Sequence, residues 1–286
     1  MEERNERGET LKEFLARYDE TKYRRPSNTV DMILLTVLKG KLKVLLVKRK
    51  DHPFIHDWAM PGGFVNFDED LDTAMKRELE EETNLFDSTY FRQLYTFGNA
   101  DRDPRTRVIT TVYLSMTPAE NIKMTSAGDD AMDTGWFTIQ KITTTTDGYE
   151  RKSVLMLDEE EKGIHLRYEI YDTACDNYVQ TRSKLLENSN AKLAADHIKA
   201  INMAIDVVRN RAASTGIMFN LLPKECTLRE IQEVYEAIVN HPVDTGNFRR
   251  DIKKMLVATG STTIVNGRKV AIYSFNPLLP FVKETL

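Results

Sequence analysis

The chain has 286 residues, of which 41% are hydrophobic, enough for a sizeable core and for more than one domain. Its formal net charge of −4 excludes a global field that would draw it onto nucleic acid or acidic lipid, so any nucleic-acid contact must use a local patch. The two cysteines, Cys175 and Cys226, lack metal-ligand or redox spacing. The charged start lacks the apolar segment of a signal peptide, and no apolar run reaches the length of a membrane span. We therefore expect a reduced, cytoplasmic protein with no membrane partner.

Strand-like and helical segments alternate through the first part of the chain. The N-terminal extension (1–25) is predicted to contain a short amphipathic helix over 10–20. A hairpin of "TVDMILLTV" and "KLKVLLVKR", which turns at Gly40, is followed by a helix over about 70–84. Strands are predicted over 92–97, 108–116 and 136–139, and then a hairpin of "SVLMLD" and "IHLRYEIYD". Strands on both sides of a helix predict a mixed α+β domain, an α-β-α sandwich, over residues 26–182.

The composition changes after this domain. "NAKLAADHIKAINMAIDVVRNRAA" has apolar residues at helical spacing and predicts a long connecting helix within 183–215, because no Gly or Pro interrupts it from Asn190 to Thr215. In the remaining residues, 216–286, Thr227 and Glu230 form a capping-box signature before a helix, and "DTGNFRRDIKKM" predicts a second short helix. Asn266-Gly267 then predicts a type I′ hairpin. Helix, helix and hairpin are the order of an α+β winged helix-turn-helix domain.

The helix predicted over 70–84 carries carboxylates on two faces. Glu80 falls opposite the apolar stripe of Met75 and Leu79, as a solvated face requires, but helical spacing places Glu78 and Glu82 in the middle of that stripe. Burying ionised carboxylates without a partner is costly, so these two side chains need a cation. Oxygen ligands favour Mg²⁺ or Mn²⁺ over zinc.

The spacing of these residues resembles the signature of the Nudix hydrolases, G-x5-E-x7-R-E-U-x-E-E-x-G-U, where U is aliphatic. The matching residues are Gly63, Glu69, Arg77, Glu78, Leu79, Glu81, Glu82 and Leu85. Asn84 stands where the family has glycine, and Asn tolerates the left-handed conformation expected there next best after Gly. The departure leaves the ligand positions intact.

The resemblance implies a Nudix fold and attack by metal-activated water on a diphosphate linked to a further moiety. It implies that Glu78, Glu81 and Glu82 hold the metal, that one of them or Glu69 positions or deprotonates the water, and that the carbonyl of Gly63 adds a metal contact. Arg77, four residues before Glu81, is expected to pair with it and fix its rotamer.

Two further stretches, "WAMPGGFV" and "LYTFGNADRDPRTRVITTVY", resemble a narrower group, the Nudix-related transcriptional regulators of NAD metabolism and their sugar-responsive relatives. That group joins a Nudix domain similar to ADP-ribose pyrophosphatases to a C-terminal winged helix. The resemblance runs from about Tyr23 to Phe275. It implies an ADP-ribose-like nucleotide ligand and a DNA operator.

The "DRDPR" loop provides candidate ligand contacts. Arg102 and Arg105 are candidates to clamp phosphate or ribose oxygens, because a guanidinium presents a fork of donors. The alternative is a surface turn made by Asp103-Pro104 with both arginines in solvent. Trp58 and Phe97 are candidates to stack on a base, although aromatic residues beside strands are more often core.

The C-terminal part contains a local basic patch. Residues 246–275 hold six basic side chains against one acid, Asp251: Arg249, Arg250, Lys253, Lys254, Arg268 and Lys269. The first four fall in the predicted second helix and the last two at the hairpin tip, which is the charge placement of a helix in the major groove with a wing on the backbone. The alternative is a winged helix used for dimerisation. Phe248 is expected to anchor the helix in its own core.

Three functions fit these features: a Mg²⁺-dependent ADP-ribose-type pyrophosphatase with an appended domain, a ligand-responsive transcriptional regulator, and a hydrolase of oxidised nucleotides. The third does not explain the C-terminal domain. All carboxylates of the box are present, which favours catalysis, and the basic second domain favours regulation. We expect a regulator of NAD or sugar metabolism that keeps hydrolase competence, and a homodimer if its operator is palindromic.

Overall fold

The computed structural model describes residues 2–83, 90–122, 131–176 and 178–278. Asn84 and Leu85, the last two specified positions of the box, lie outside these described residues. The helices are α1 (Leu11–Arg17), α2 (Leu71–Thr83), α3 (His197–Ala212), α4 (Leu228–Val239) and α5 (Thr245–Ile252). Within the described part of the chain, none of the helices is long and apolar enough to cross a membrane.

A ten-stranded sheet forms the centre of the first domain. Its strands are β1 (Ser27–Leu38), β2 (Lys41–Arg49), β3 (Trp58–Ala59), β4 (Gly62–Phe64), β5 (Tyr90–Phe97), β6 (Val108–Met116), β7 (Ala131–Asp147), β8 (Glu150–Glu159), β9 (Ile164–Cys175) and β10 (Tyr178–Leu185). The order is β10-β9-β8-β7-β2-β1-β6-β5, with β3 beside β2 and β4 beside β1. Strands β1 and β6 run parallel, whereas the other strand pairs are antiparallel.

Helices cover both faces of this sheet. Alternate residues of β1 point to opposite sides: Met32 and Leu34 pack in the cluster that contains α2, and Ile33 and Leu35 pack in the cluster that contains α3. The predicted α-β-α sandwich is therefore confirmed.

The predicted hairpins are confirmed, but the sheet extends further than expected. Lys39 and Gly40 both have positive φ at the β1–β2 turn, and β8 pairs with β9 as predicted. Strand β7 is much longer than the predicted 136–139 segment, and β10 was not predicted. Residues of β10 are mostly exposed, so the strand lacks the apolar alternation by which a half-buried strand is recognised.

The connecting helix is shorter than predicted, and it is not a free link. Residues 183–185 belong to β10, and α3 begins only at His197. The preceding segment runs alongside β3: the Trp58 amide donates to the Lys192 carbonyl, and the Ala194 amide donates to the Trp58 carbonyl. This pairing draws the backbone out of the helix although its sequence has helical spacing. Helix α3 itself is the second outer layer of the sandwich.

The C-terminal domain has the predicted winged-helix order. Its small sheet contains β11 (Cys226–Thr227), β12 (Leu256–Val265) and β13 (Arg268–Phe275), in the order β11-β13-β12. The Thr227–Glu230 capping box is present at the start of α4, and such a cap typically contributes about 1 kcal/mol. Asn266 and Gly267 both have positive φ at the β12–β13 turn, as the type I′ prediction requires.

One apolar cluster joins the two domains. Buried residues of α3, such as Ile205 and Val208, belong to the same cluster as Ile231 and Ile238 of α4. The side chain of Arg209 in α3 donates to the Ile238 carbonyl at 2.9 Å and to the Lys141 carbonyl of β7 at 3.2 Å. The winged helix is thus packed directly onto the helix that covers the Nudix-type sheet.

Candidate functional site

Helix α2 turns its carboxylates in the directions that the helical spacing predicts. Its apolar residues Ala74, Met75 and Leu79 are buried against the sheet. Glu78 is buried with them, Glu82 is partly buried, and Glu80 is exposed. A wholly solvated acidic face is therefore excluded, because Glu78 lies on the buried side.

Arg77 organises the carboxylates around it. Its Nε and Nη2 donate to the two carboxylate oxygens of Glu69 at 2.9 and 3.0 Å. Its Nη1 donates to Glu78 at 2.7 Å and to Glu81 at 3.1 Å, and Nη2 also reaches the Phe64 carbonyl at 3.1 Å. The predicted Arg77–Glu81 pair is present, but it is the most exposed part of a larger network.

The geometry favours a positioning role for Glu69 over proton abstraction. Both of its oxygens accept from Arg77, and one also accepts from the Asn66 amide at 3.1 Å. The hydrogen bonds from Arg77 are the main reason that the pKa of Glu69 lies below its ordinary value. A carboxylate with occupied oxygens and a lowered pKa is a poor base for water.

Glu78 lies directly against the backbone of Gly63. A Cβ atom added at Gly63 would stand 2.2 Å from Oε1 of Glu78, so only glycine leaves room for the carboxylate there. Burial raises the pKa of Glu78, although the hydrogen bond from Arg77 acts in the opposite direction. Arg77 alone therefore does not fully compensate this buried charge, and a further cation would be favourable.

The oxygen donors fit a hard divalent cation in kind. Glu78, Glu81, Glu82 and Gly63 line one cavity. In the described segments, no three His, Cys, Asp or Glu side chains already lie close enough together to hold a metal ion. Arg77 instead occupies the space between Glu69, Glu78 and Glu81. Metal binding at this site would thus compete with the Arg77 pairs.

Gly63→Ala is expected to weaken Mg²⁺ binding about 10–100-fold, because the added methyl group must displace the Glu78 carboxylate. Calorimetric titration with Mg²⁺ measures the effect. Gly98→Ala is the matched control, since the nearest atoms to its added Cβ lie at 3.9 and 4.0 Å, which is ordinary contact. Equal Mg²⁺ affinity in both variants would contradict the placement of the metal beside Gly63.

The carboxylates open into a cavity of about 920 Å³ that also contains both arginines of the "DRDPR" loop. Arg102 is nearly buried, and its Nε and Nη2 donate to Asp196 at 3.3 and 2.9 Å. Arg105 pairs with Asp103 at 2.8 Å and lies 5.5 Å from the centre of the Phe64 ring. Both candidate clamps therefore border the cavity, and each is paired with a carboxylate. Arg102 is withdrawn from solvent, whereas Arg105 is exposed, as the surface-turn alternative expects.

Trp58 does not face the cavity, so the expectation that it stacks on a base is wrong in this structure. It is 1% exposed, and its ring packs edge-on against Phe137 with 4.8 Å between ring centres. Phe97 is partly buried and packs against Tyr95. The core alternative holds for Trp58 because β3 turns its side chain into the cluster beneath α3.

Sequence reasoning missed three residues at the cavity: Asp31 and His197 line it, and Asp196 pairs with Arg102, which lines it. Asp31 accepts a hydrogen bond from the Thr110 hydroxyl at 2.7 Å. Burial lowers the pKa of His197, whose Nδ1 accepts from the Met60 amide at 2.9 Å. These residues lie in "YRRPSNTVD" and "LAADHIKAINMAID", stretches that also resemble the regulator group, but only packing brings their side chains to the cavity.

The six basic residues of the patch in residues 246–275 are all exposed. Arg249 and Arg250 lie on α5, and Arg268 and Lys269 follow the tight turn of the hairpin. Lys253 and Lys254 do not extend α5 as predicted, because the chain tightens into a 3₁₀ turn at 253–255 before β12. Phe248 is buried and packs on Tyr235, with 5.2 Å between ring centres, as expected for an anchor.

Two domain families match the chain. The NUDIX domain matches residues 26–157, and the NrtR DNA-binding winged helix domain matches residues 218–275. The chain is similar to the ADPR responsive transcriptional repressor NtrR of Acinetobacter baylyi, with 28% identity over 92% of this chain and 87% of that protein. It is also similar to the ADP-ribose pyrophosphatase of Methanocaldococcus jannaschii, with 34% identity over 49% of this chain and 80% of that enzyme.

Solved structures share the whole two-domain arrangement. A MutT/nudix family protein from Enterococcus faecalis is 30% identical, covers 95% of both chains and superposes with a TM-score of 0.69. NrtR from Shewanella oneidensis, solved with a 27mer DNA, is 25% identical over 88% of this chain and 94% of that one, with a TM-score of 0.59. The chain therefore belongs to the Nudix family and joins its Nudix domain to a winged helix of the NrtR type.

Proposed function

We propose that the protein is a transcriptional regulator in which the Nudix domain binds an ADP-ribose-like nucleoside diphosphate and the winged helix binds an operator. One observation carries the proposal: α3 begins at the Nudix cavity, which His197 lines and where the preceding Asp196 pairs with Arg102, and near its other end Arg209 contacts α4. One helix would thus connect the ligand site with the domain that carries the basic residues. The repressor from A. baylyi and the DNA-bound NrtR from S. oneidensis support the pairing of these roles.

The cavity suits a diphosphate bearing a sugar. Arg102 and Arg105 offer forked donors for phosphate oxygens, and Asp31 offers acceptors for ribose hydroxyl groups. Glu78, Glu81 and Glu82, with the Gly63 carbonyl, would hold Mg²⁺ or Mn²⁺, which when bound neutralises a diphosphate and lowers the pKa of water. In the metal-free protein Arg77 orients Glu78 and Glu81, and Glu69 keeps Arg77 in place. Hydrolysis of the bound ligand would end the signal.

An ADP-ribose-type pyrophosphatase without a regulatory role is the alternative. The relative from M. jannaschii and the retained carboxylates favour it. It leaves the exposed basic residues of the winged helix, Arg249 and Arg250 among them, without a use. A palindromic operator would in addition require a homodimer of the regulator.

Operator DNA is expected to change the affinity for ADP-ribose about 5–150-fold, the range of a typical coupling of about 1–3 kcal/mol. The reason is that a ligand can shift the equilibrium between the DNA-competent and DNA-free states only if it binds these two states with different affinities. Calorimetry measures the affinity for ADP-ribose with and without a DNA duplex that the wild-type protein has selected from a random pool. The Glu82→Gln variant is used so that ADP-ribose is not hydrolysed during the titration.

A duplex of shuffled sequence at the same concentration is the control. Equal ADP-ribose affinities with the selected and the shuffled duplex would mean that the domains are uncoupled. The enzyme alternative would then stand alone.

A further inference from the structure

Asp196 has an unusual place at the start of α3. It is the N-cap residue of the helix, yet its side chain makes no capping hydrogen bond to the first turn. An aspartate at this position ordinarily accepts from the amides of its own helix. Here both of its oxygens accept from Arg102 instead, at 3.3 and 2.9 Å. The carboxylate is thus turned away from the helix and toward Arg102, which lines the Nudix cavity.

A carboxylate and a phosphate group present similar pairs of oxygens to a guanidinium. We propose that Asp196 is an internal substitute for the ligand's anionic group, which holds Arg102 in the ligand-free protein and yields it to a diphosphate. The proposal rests on the proposed function for the identity of the ligand. We call the contact between Arg102 and Asp196 the latch.

The latch has two states of comparable chemistry. When a diphosphate takes Arg102, the freed Asp196 carboxylate can accept from the amides of the first turn of α3 once its backbone moves from the present φ of −100° and ψ of 16° to the extended conformation of a capping residue. The helix dipole also favours a negative charge there. The exchange therefore leaves no charge uncompensated. Each state satisfies both Arg102 and Asp196, so the ligand's differential affinity can select between them.

Opening of the latch reaches the DNA-binding domain through α3. The start of the helix is held at the cavity by the latch and by the bond between Met60 and His197. Its last turns carry Arg209, which donates to the Ile238 carbonyl near the end of α4. A change in the position of the first turn of α3 is thereby transmitted to α4, which packs against α5.

Asp196→Asn tests the latch because it removes the charge that competes for Arg102. The variant is expected to fold, since Asp31, held by Thr110, remains 3.8 Å from Arg102 and compensates its charge. ADP-ribose, titrated without Mg²⁺, should bind about tenfold more tightly than to the wild type. Without ligand, the affinity of the variant for the selected duplex should differ from that of the wild type in the same direction as ADP-ribose changes the wild-type affinity. Added ADP-ribose should change the variant's duplex affinity by less than about twofold.

Asp103→Asn is the matched control. Asp103 is also paired with an arginine, Arg105 at 2.8 Å, but both partners of that pair lie in the same loop. This variant is expected to alter ADP-ribose affinity while the ratio of duplex affinities with and without ADP-ribose stays as in the wild type. Unchanged ADP-ribose affinity in Asp196→Asn, with an unchanged response of duplex binding, overturns the latch.

Hydrogen exchange separates this proposal from the proposed function. With neither ligand nor DNA present, the amides of the first turn of α3 should exchange several-fold more slowly in Asp196→Asn than in the wild type, because the freed side-chain oxygen of the asparagine accepts from them. Equal exchange rates overturn the latch whatever the ligand is. If the wild type fails to bind ADP-ribose while the exchange rates differ as expected, the latch stands and the assigned ligand is wrong.

Discussion

Glu82→Gln is expected to lower Mg²⁺-dependent hydrolysis of ADP-ribose about a thousandfold while leaving the fold intact. The substitution keeps the size of the side chain but removes one of the charges that turn toward the sheet face of α2. Loss of a metal-holding carboxylate removes about 4 kcal/mol of transition-state stabilisation, and each 1.36 kcal/mol is a factor of ten in rate. Release of AMP from ADP-ribose at saturating Mg²⁺ measures the effect.

The same helix provides the control for this prediction. Glu80→Gln makes an identical chemical change two residues away, on the exposed face of α2. It is expected to hydrolyse ADP-ribose at the wild-type rate. Full activity in Glu82→Gln, or an equal loss in both variants, would show that the assignment of the metal site is wrong.

Replacing Arg249 and Arg250 together with glutamine is expected to weaken binding to the selected duplex by at least about tenfold and to flatten its salt dependence. Each phosphate contact contributes about −0.9 to the slope of log affinity against log salt, so loss of two contacts should reduce the slope by about 1.8. Both side chains are exposed on α5, so the fold should be unaffected. Fluorescence anisotropy across a range of salt concentrations gives both quantities.

A second double variant separates local contact from overall charge. The double variant Arg182→Gln with Lys184→Gln also removes two positive charges, but from exposed positions on β10, outside the winged helix. Its salt slope should equal that of the wild type, and hydrolysis of ADP-ribose should be unchanged in the α5 variant. If both double variants reduce the slope equally, the basic residues of α5 are not the contact with DNA.

Much of the molecule follows from patterns that are local in the sequence. The spacing of Met75, Glu78, Leu79 and Glu82 is enough to place two carboxylates on the buried side of α2, because helical geometry fixes which side chains share a face. The capping box at Thr227 and the Asn266-Gly267 turn were equally predictable, since each is a preference of a few neighbouring residues.

Other features depended on neighbours distant in sequence. Residues 190–196 have helical spacing, yet they are not helical, because Lys192 and Ala194 make their backbone hydrogen bonds with Trp58 of β3. Trp58 adjoins the Nudix motif but packs on Phe137, which the sheet order brings beside it. Neither outcome is encoded by a short window of sequence.

The contrast is sharpest at the cavity. The acidic side of the site follows from local sequence alone, because Glu78, Glu81 and Glu82 lie on one helix with fixed spacing. The partner of Arg102 was decided only by the tertiary structure. Asp196 lies 94 residues further along the chain and reaches Arg102 because α3 packs across the sheet with its first turn at the cavity. Helical periodicity acts over a few residues, whereas a buried ion pair between separate elements exists only once apolar packing has brought those elements together.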